Sequence, residues 1–231
     1  MNIRGIQKTS LIDFPQVIST VLFTGGCNLR CLYCHNASLA YNDCDLQQYS
    51  NHDVLELLQK RKHLIGGVVI TGGEPTLAKG IVAFLEKVKE IGLKVKLDTN
   101  GFQPQVLKKL VSQKLVDYVA IDIKTSPEKY PVLTKTKLPF DVILESIALL
   151  KEHNTTFELR TTCVPGFVTM EDFHSIKEHV GRVAYYYLQQ FHNQHTLDQT
   201  LRTLKPYPND VLYTFQQFVK TFATCCEIRG I

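Results

Sequence analysis

Val17-Ile18-Ser19-Thr20-Val21-Leu22-Phe23-Thr24 runs directly into Gly25-Gly26-Cys27-Asn28-Leu29-Arg30-Cys31-Leu32-Tyr33-Cys34. The first eight residues are mostly apolar and β-branched and predict a strand buried on both faces. The next ten open with two glycines and gather three cysteines, so a thiol-bearing loop follows the C-terminal end of that strand. The layout recurs along the chain. Residues 67–71 (GVVIT) precede Gly72-Gly73-Glu74-Pro75, and residues 94–98 (KVKLD) precede Thr99-Asn100-Gly101. Residues 117–123 (DYVAIDI) precede Lys124, residues 156–163 (TFELRTTC) carry Arg160, and residues 183–189 (VAYYYLQ) form a sixth run.

Helical patterns lie between these runs. Residues 79–91 place Ile81, Phe84, Leu85 and Val88 on one face and stop at Gly92. Others are expected over 53–62, 103–114, with Pro104 in a first turn, 140–153, 170–180 and, after Pro206-Tyr207-Pro208, 209–222. Six strand–helix repeats of about 30 residues imply parallel βαβ units. A doubly wound nucleotide-binding sheet would carry a Gly-rich phosphate loop after its first strand, and residues 24–30 match neither common form of that loop. Polar residues past the end of almost every strand converge instead on the mouth of a barrel. The expected fold is therefore α/β, a partial (β/α)6 TIM-like barrel. It forms a single domain over residues 1–231, with a C-terminal helical extension from about 205.

Composition bounds the function. The 231 residues are 44% apolar and 21% charged, which is ordinary globular usage and excludes a largely disordered chain. Twenty-six Lys and Arg against 22 Asp and Glu leave a formal charge of +4, with no basic block, so no nucleic acid is expected as partner. No apolar run approaches the roughly 20 residues of a membrane helix. The N-terminus lacks the layout of a signal peptide, so a cytoplasmic location is expected, where structural disulfides are rare.

Three of the seven cysteines, Cys27, Cys31 and Cys34, fall within eight residues. Structural zinc needs four closed ligands, and His35 or Cys44 could complete such a set. Alternatively, three thiolates on a [4Fe–4S] cluster leave one iron open, as a catalytic cluster requires and a four-cysteine electron carrier does not. No second cysteine group could house another cluster, and Cys44 and Cys163 are expected to be buried small hydrophobes.

The C-x-x-x-C-x-x-C spacing after a first strand resembles the signature of the radical S-adenosylmethionine (SAM) enzymes. Ser10-Leu11-Ile12-Asp13-Phe14-Pro15, with residues 22–36, resembles the glycyl-radical-enzyme activases. Among them the chain is most similar to the activating proteins of anaerobic ribonucleoside-triphosphate reductase, with pyruvate formate-lyase activating enzyme a close relative. The resemblance implies that Cys27, Cys31 and Cys34 hold a [4Fe–4S] cluster. It implies that Gly72, Gly73 and Glu74 receive the amino group of SAM, and that Lys124 and Arg160 meet its carboxylate. Tyr33 would pack near the adenine and His192 beside the nucleoside. Asp98, Thr99 and Asp122, with the carbonyl of Ala120, would hold a monovalent cation next to SAM, and Val164-Pro165-Gly166 matches a turn of the family.

The activity so implied is reductive cleavage of SAM to a 5′-deoxyadenosyl radical that takes a hydrogen from a glycine Cα in a partner enzyme. The implied partner is anaerobic ribonucleotide reductase, and the electron donor a flavodoxin or ferredoxin. A barrel mouth with no appended domain over it would stay open to a peptide loop. Two alternatives remain at this point: activation of pyruvate formate-lyase or another glycyl radical enzyme, and small-molecule chemistry like that of 7-carboxy-7-deazaguanine synthase.

Overall fold

The computed structural model describes every residue from Met1 to Ile231. Eight strands make one sheet in strict chain order: β1 (Ile3–Ser10), β2 (Ser19–Thr24), β3 (Gly67–Gly72), β4 (Lys94–Thr99), β5 (Tyr118–Asp122), β6 (Phe157–Cys163), β7 (Val183–Gln190) and β8 (Ala223–Arg229). β1 pairs antiparallel with β2, and every later neighbour is parallel. A doubly wound sheet must reverse its strand order at a switch point. None occurs here, and β1 and β8 stay unpaired with each other, which is the order of a barrel left open on one side.

The helices are α1 (Ala37–Tyr41), α2 (Asn51–Arg61), α3 (Ile81–Glu90), α4 (Pro104–Ser112), α5 (Tyr130–Thr134), α6 (Asp141–Glu152), α7 (Met170–Val180) and α8 (Asn209–Val219). The six expected strands are β2 to β7. Two more flank them. β1 is an edge strand whose residues Gln7, Lys8 and Thr9 are exposed, so its sequence lacks a continuous apolar run. β8 corrects an expectation: the segment from about 205 is not wholly helical. α8 stops at Val219, and Ala223–Arg229 extends along β7, where the parallel partner supplies the hydrogen bonds that local propensity did not announce.

Side-chain alternation sends the two sheet faces to different environments. Leu22, Ile70, Leu97 and Ile121 belong to the main apolar core with the helices. The opposite, concave face begins at the N-terminal end of the strands with the register row Val21, Val69, Lys96 and Tyr118. Phe14 closes this end, its ring 6.1 Å from that of Tyr118. The loop containing Leu11, Ile12 and Asp13 therefore lies at the start of β2, away from the cysteines, which follow its end. Ser10 shapes that loop: its hydroxyl accepts from the Ile12 and Asp13 amides, each at 3.2 Å.

Candidate functional site

At the C-terminal ends of the strands, Cys27, Cys31 and Cys34 line one cavity of about 300 Å³ with Tyr33, Glu74, Asp98, Asp122, Lys124 and Arg160. The cysteine loop is pinned by backbone bonds to distant elements. Gly26 donates to the Leu39 carbonyl (2.8 Å), and Arg30 and Leu32 donate to Thr134 and Leu133 (both 2.9 Å). All three thiols are free of disulfides. Burial pushes the Cys31 thiol up to about 12 and raises Cys27, against the pull of Lys124. Buried thiols of this kind become thiolates when a metal claims them.

No three Cys, His, Asp or Glu side chains converge as a single metal ion requires, so neither His35 nor Cys44 completes a zinc set. Thiols standing apart suit a polynuclear cluster, which takes one thiolate at each of several irons. A second feature agrees. Asn100 donates from Nδ2 to Asn28 Oδ1 (2.7 Å), and this leaves the buried Asn28 Nδ2 without an acceptor beside Cys27. An orphaned donor next to the thiols fits a group with sulfur acceptors.

Gly72 and Gly73 bring β3 against the cysteine loop. A Cβ on Gly73 would stand 2.1 Å from the Gly26 carbonyl oxygen, and one on Gly72, at φ +118°, would stand 2.4 Å from the Thr24 nitrogen. The glycines therefore allow an approach between two chain segments, rather than only room for a ligand. Glu74 is likewise occupied by protein. Its Oε1 accepts from the Thr76 amide (3.1 Å), the Thr76 hydroxyl and the Thr99 hydroxyl (2.7 Å), while Oε2 accepts from the Asn100 amide (2.7 Å). Burial raises its carboxyl despite these donors.

The register of β4, β5 and β6 sets Asp122 directly beside Arg160 and Asp98 beside Ala120. Arg160 then bridges both acids, from Nε to Asp122 Oδ1 (2.8 Å) and from Nη1 to Asp98 Oδ2 (2.9 Å). Lys124 pairs with Asp122 Oδ2 (2.9 Å) and stands over the Tyr33 ring. Burial alone would raise both carboxyls, but Arg160 with Lys96 holds Asp98 low, and Arg160 with Lys124 holds Asp122 low. In return, Asp122 outweighs burial and keeps Lys124 well above the ordinary lysine range. Arg160 Nη2 makes no hydrogen bond, so one edge of the guanidinium is left for a ligand.

The structure thus brings every expected site residue into one cavity lining except His192 and Ala120, the latter paired in register with Asp98 behind it. The cavity lining reaches Gln189 but not His192, whose exposed ring lies near Gly230 instead. His192 sits beside the cavity rather than in its lining, close to His35, whose imidazole is held low by burial and then by the nearby His192. Cys163 is fully buried as expected, whereas Cys44 is exposed in the loop after α1 and is no core residue. Three contributors went unassigned in the sequence reading: Asn28, Asn100 and Lys96. Lys96 was signalled, because two residues before Asp98 on a strand means the same face.

The sequence profile of the radical SAM superfamily matches residues 21–180. The chain is 36% identical, over 99% of its length and 96% of the relative's, to a protein of Methanocaldococcus jannaschii described as a candidate glycyl-radical enzyme activating enzyme. It is 32% identical to the pyruvate formate-lyase-activating enzyme of Clostridium pasteurianum, over 63% of this chain and 62% of that one. Among solved structures, Streptococcus suis SuiB bound to S-adenosylmethionine is similar with a TM-score of 0.66 over 89% of this chain. At 15% identity that likeness is one of fold alone, and this chain spans 45% of SuiB's length.

Proposed function

The chain belongs to the radical SAM superfamily, among the glycyl-radical-enzyme activases, and on that premise we propose that it activates an anaerobic ribonucleoside-triphosphate reductase in the cytoplasm, with electrons from a flavodoxin or ferredoxin. Enzymes of this family use a [4Fe–4S] cluster and SAM, which together supply a carbon-centred radical able to take hydrogen from a glycine Cα. In this reading Cys27, Cys31 and Cys34 hold the cluster, and the Asn28 amide donates toward it. The free Nη2 edge of Arg160 and the remaining N–H groups of Lys124 receive the SAM carboxylate. The backbone at Gly72 and Gly73 borders the place of the amino group, and Glu74 holds that loop to Thr99 and Asn100. Tyr33 flanks the adenine.

One observation carries the reading: three free cysteines line the same cavity as a cationic pair with hydrogen-bonding capacity to spare. The full-length likeness to a candidate activase supports a glycyl radical enzyme as substrate, and the S-L-I-D-F-P segment with Asp98-Thr99-Asn100-Gly101 and Asp122-Ile123-Lys124 favours an activase over small-molecule chemistry.

Anaerobic reconstitution with iron and sulfide should load about four irons per chain and permit SAM cleavage on reduction. Cys31→Ala should abolish both, and its retention of SAM cleavage would refute the cluster assignment. Electron paramagnetic resonance after mixing with the reductase should then show a glycyl radical. A radical raised only on pyruvate formate-lyase would reassign the partner.

A further inference from the structure

The resemblance assigns Asp98, Thr99 and Asp122 to a free monovalent cation, and the geometry points to a different arrangement: we infer that the Lys96 ammonium takes the place of that cation as a built-in counter-ion. This rests on the radical SAM reading of the cavity. All four carboxylate oxygens are already engaged by charged donors. Asp98 Oδ1 accepts from Lys96 at 2.5 Å and Oδ2 from Arg160 at 2.9 Å. Asp122 Oδ1 accepts from Arg160 at 2.8 Å and Oδ2 from Lys124 at 2.9 Å. Thr99 is committed as well, since its hydroxyl donates to Glu74 and accepts from the Gly101 amide.

Lys96 itself has no alternative. It is 1% exposed and sits in register between Val69 and Tyr118 on the concave face. Its single hydrogen-bond partner is Asp98. A free ion that took Asp98 would strand a second cation, buried and unpaired, directly beneath it, which is the costliest arrangement for an ion pair.

The test uses the full chain and two probes. Equilibrium dialysis with radioactive rubidium, in choline chloride, reads cation occupancy without needing SAM to bind or react. Wild-type protein should retain no rubidium above the ionic background, and folded Lys96→Met should retain about one ion per chain, as one ion replaces one ammonium. On reconstituted protein, SAM affinity of the wild type should not depend on whether the salt is potassium or choline chloride at equal ionic strength. That of Lys96→Met should fall about tenfold in choline and recover in potassium, the scale expected for one charged hydrogen-bond network. Rubidium bound to the wild type would overturn the inference, and so would a wild-type SAM affinity that needs potassium. A folded Lys96→Met that neither binds rubidium nor responds to potassium would overturn it equally. If that variant does not fold, the wild-type dialysis still decides. Failure of the wild type to cleave SAM under any salt would instead fall on the radical SAM reading and leave the rubidium result standing.

Discussion

Glu74 joins two loops by accepting four hydrogen bonds from Thr76, Thr99 and Asn100. Glu74→Gln keeps the shape but turns an amide N–H toward another donor. It should cost about 1–3 kcal/mol, measurable as a lower Tm in denaturant or heat. An unchanged Tm would show that the carboxylate is not needed as an acceptor. The aspartates give a pH signature. Arg160 and the lysines hold Asp98 and Asp122 below their ordinary value of 3.8, so the folded state binds fewer protons than the unfolded chain. Their stabilisation is complete above that value and drains away as pH falls through the lower folded-state values. Tm should therefore drop on the acid side of pH 3.8, and Arg160→Met should lower the neutral plateau while flattening that drop. Glu74 acts in the opposite sense, because a raised carboxyl favours the folded state while it is protonated. The motif acids were readable in the sequence as a set. Their partners were not, because Arg160 reaches Asp98 across an intervening strand.

The end of β3 and the cysteine loop form one mechanical unit. Gly73 donates to the Thr24 carbonyl and Glu74 to the Gly26 carbonyl, so two backbone segments run in contact where any side chain would collide. Gly73→Ala must push the cysteine loop aside, since the clash is with backbone that cannot rotate away. Iron uptake on reconstitution should fall sharply while far-ultraviolet circular dichroism stays near wild type. Full iron loading would mean that the contact does not position the thiols. A Gly-Gly pair after a strand reads as a turn from sequence alone. What the turn presses against is decided by the parallel register of β2 and β3.

At the scale of the whole molecule, the last strand is tied back to the sheet by charge. Arg229 on β8 reaches across β7 to the fully buried Glu158 on β6, at 3.1 Å, and covers the Tyr187 ring at 3.5 Å. Tyr118 donates to the same carboxylate from the other side, so one acid links β5, β6 and β8. Arg229→Met leaves that acid buried without its cation. It should cost about 1–3 kcal/mol, less than a fully buried pair because the guanidinium is partly exposed. Chemical denaturation checks this, and a loss below about 0.5 kcal/mol would make the tie a surface pair only. The contrast between what was and was not legible follows the range of the forces. Cysteine spacing, strand–helix alternation and the placement of polar residues at strand ends were written in the sequence, because each depends on neighbours along the chain, and they sufficed for the barrel and the thiol site. The eighth strand, the place of His192, the occupation of Glu74 and the pairing of Lys96 with Asp98 required the folded sheet. Strand register and burial bring together groups far apart in sequence, and in a dry interior a charge must find its partner wherever the fold puts one.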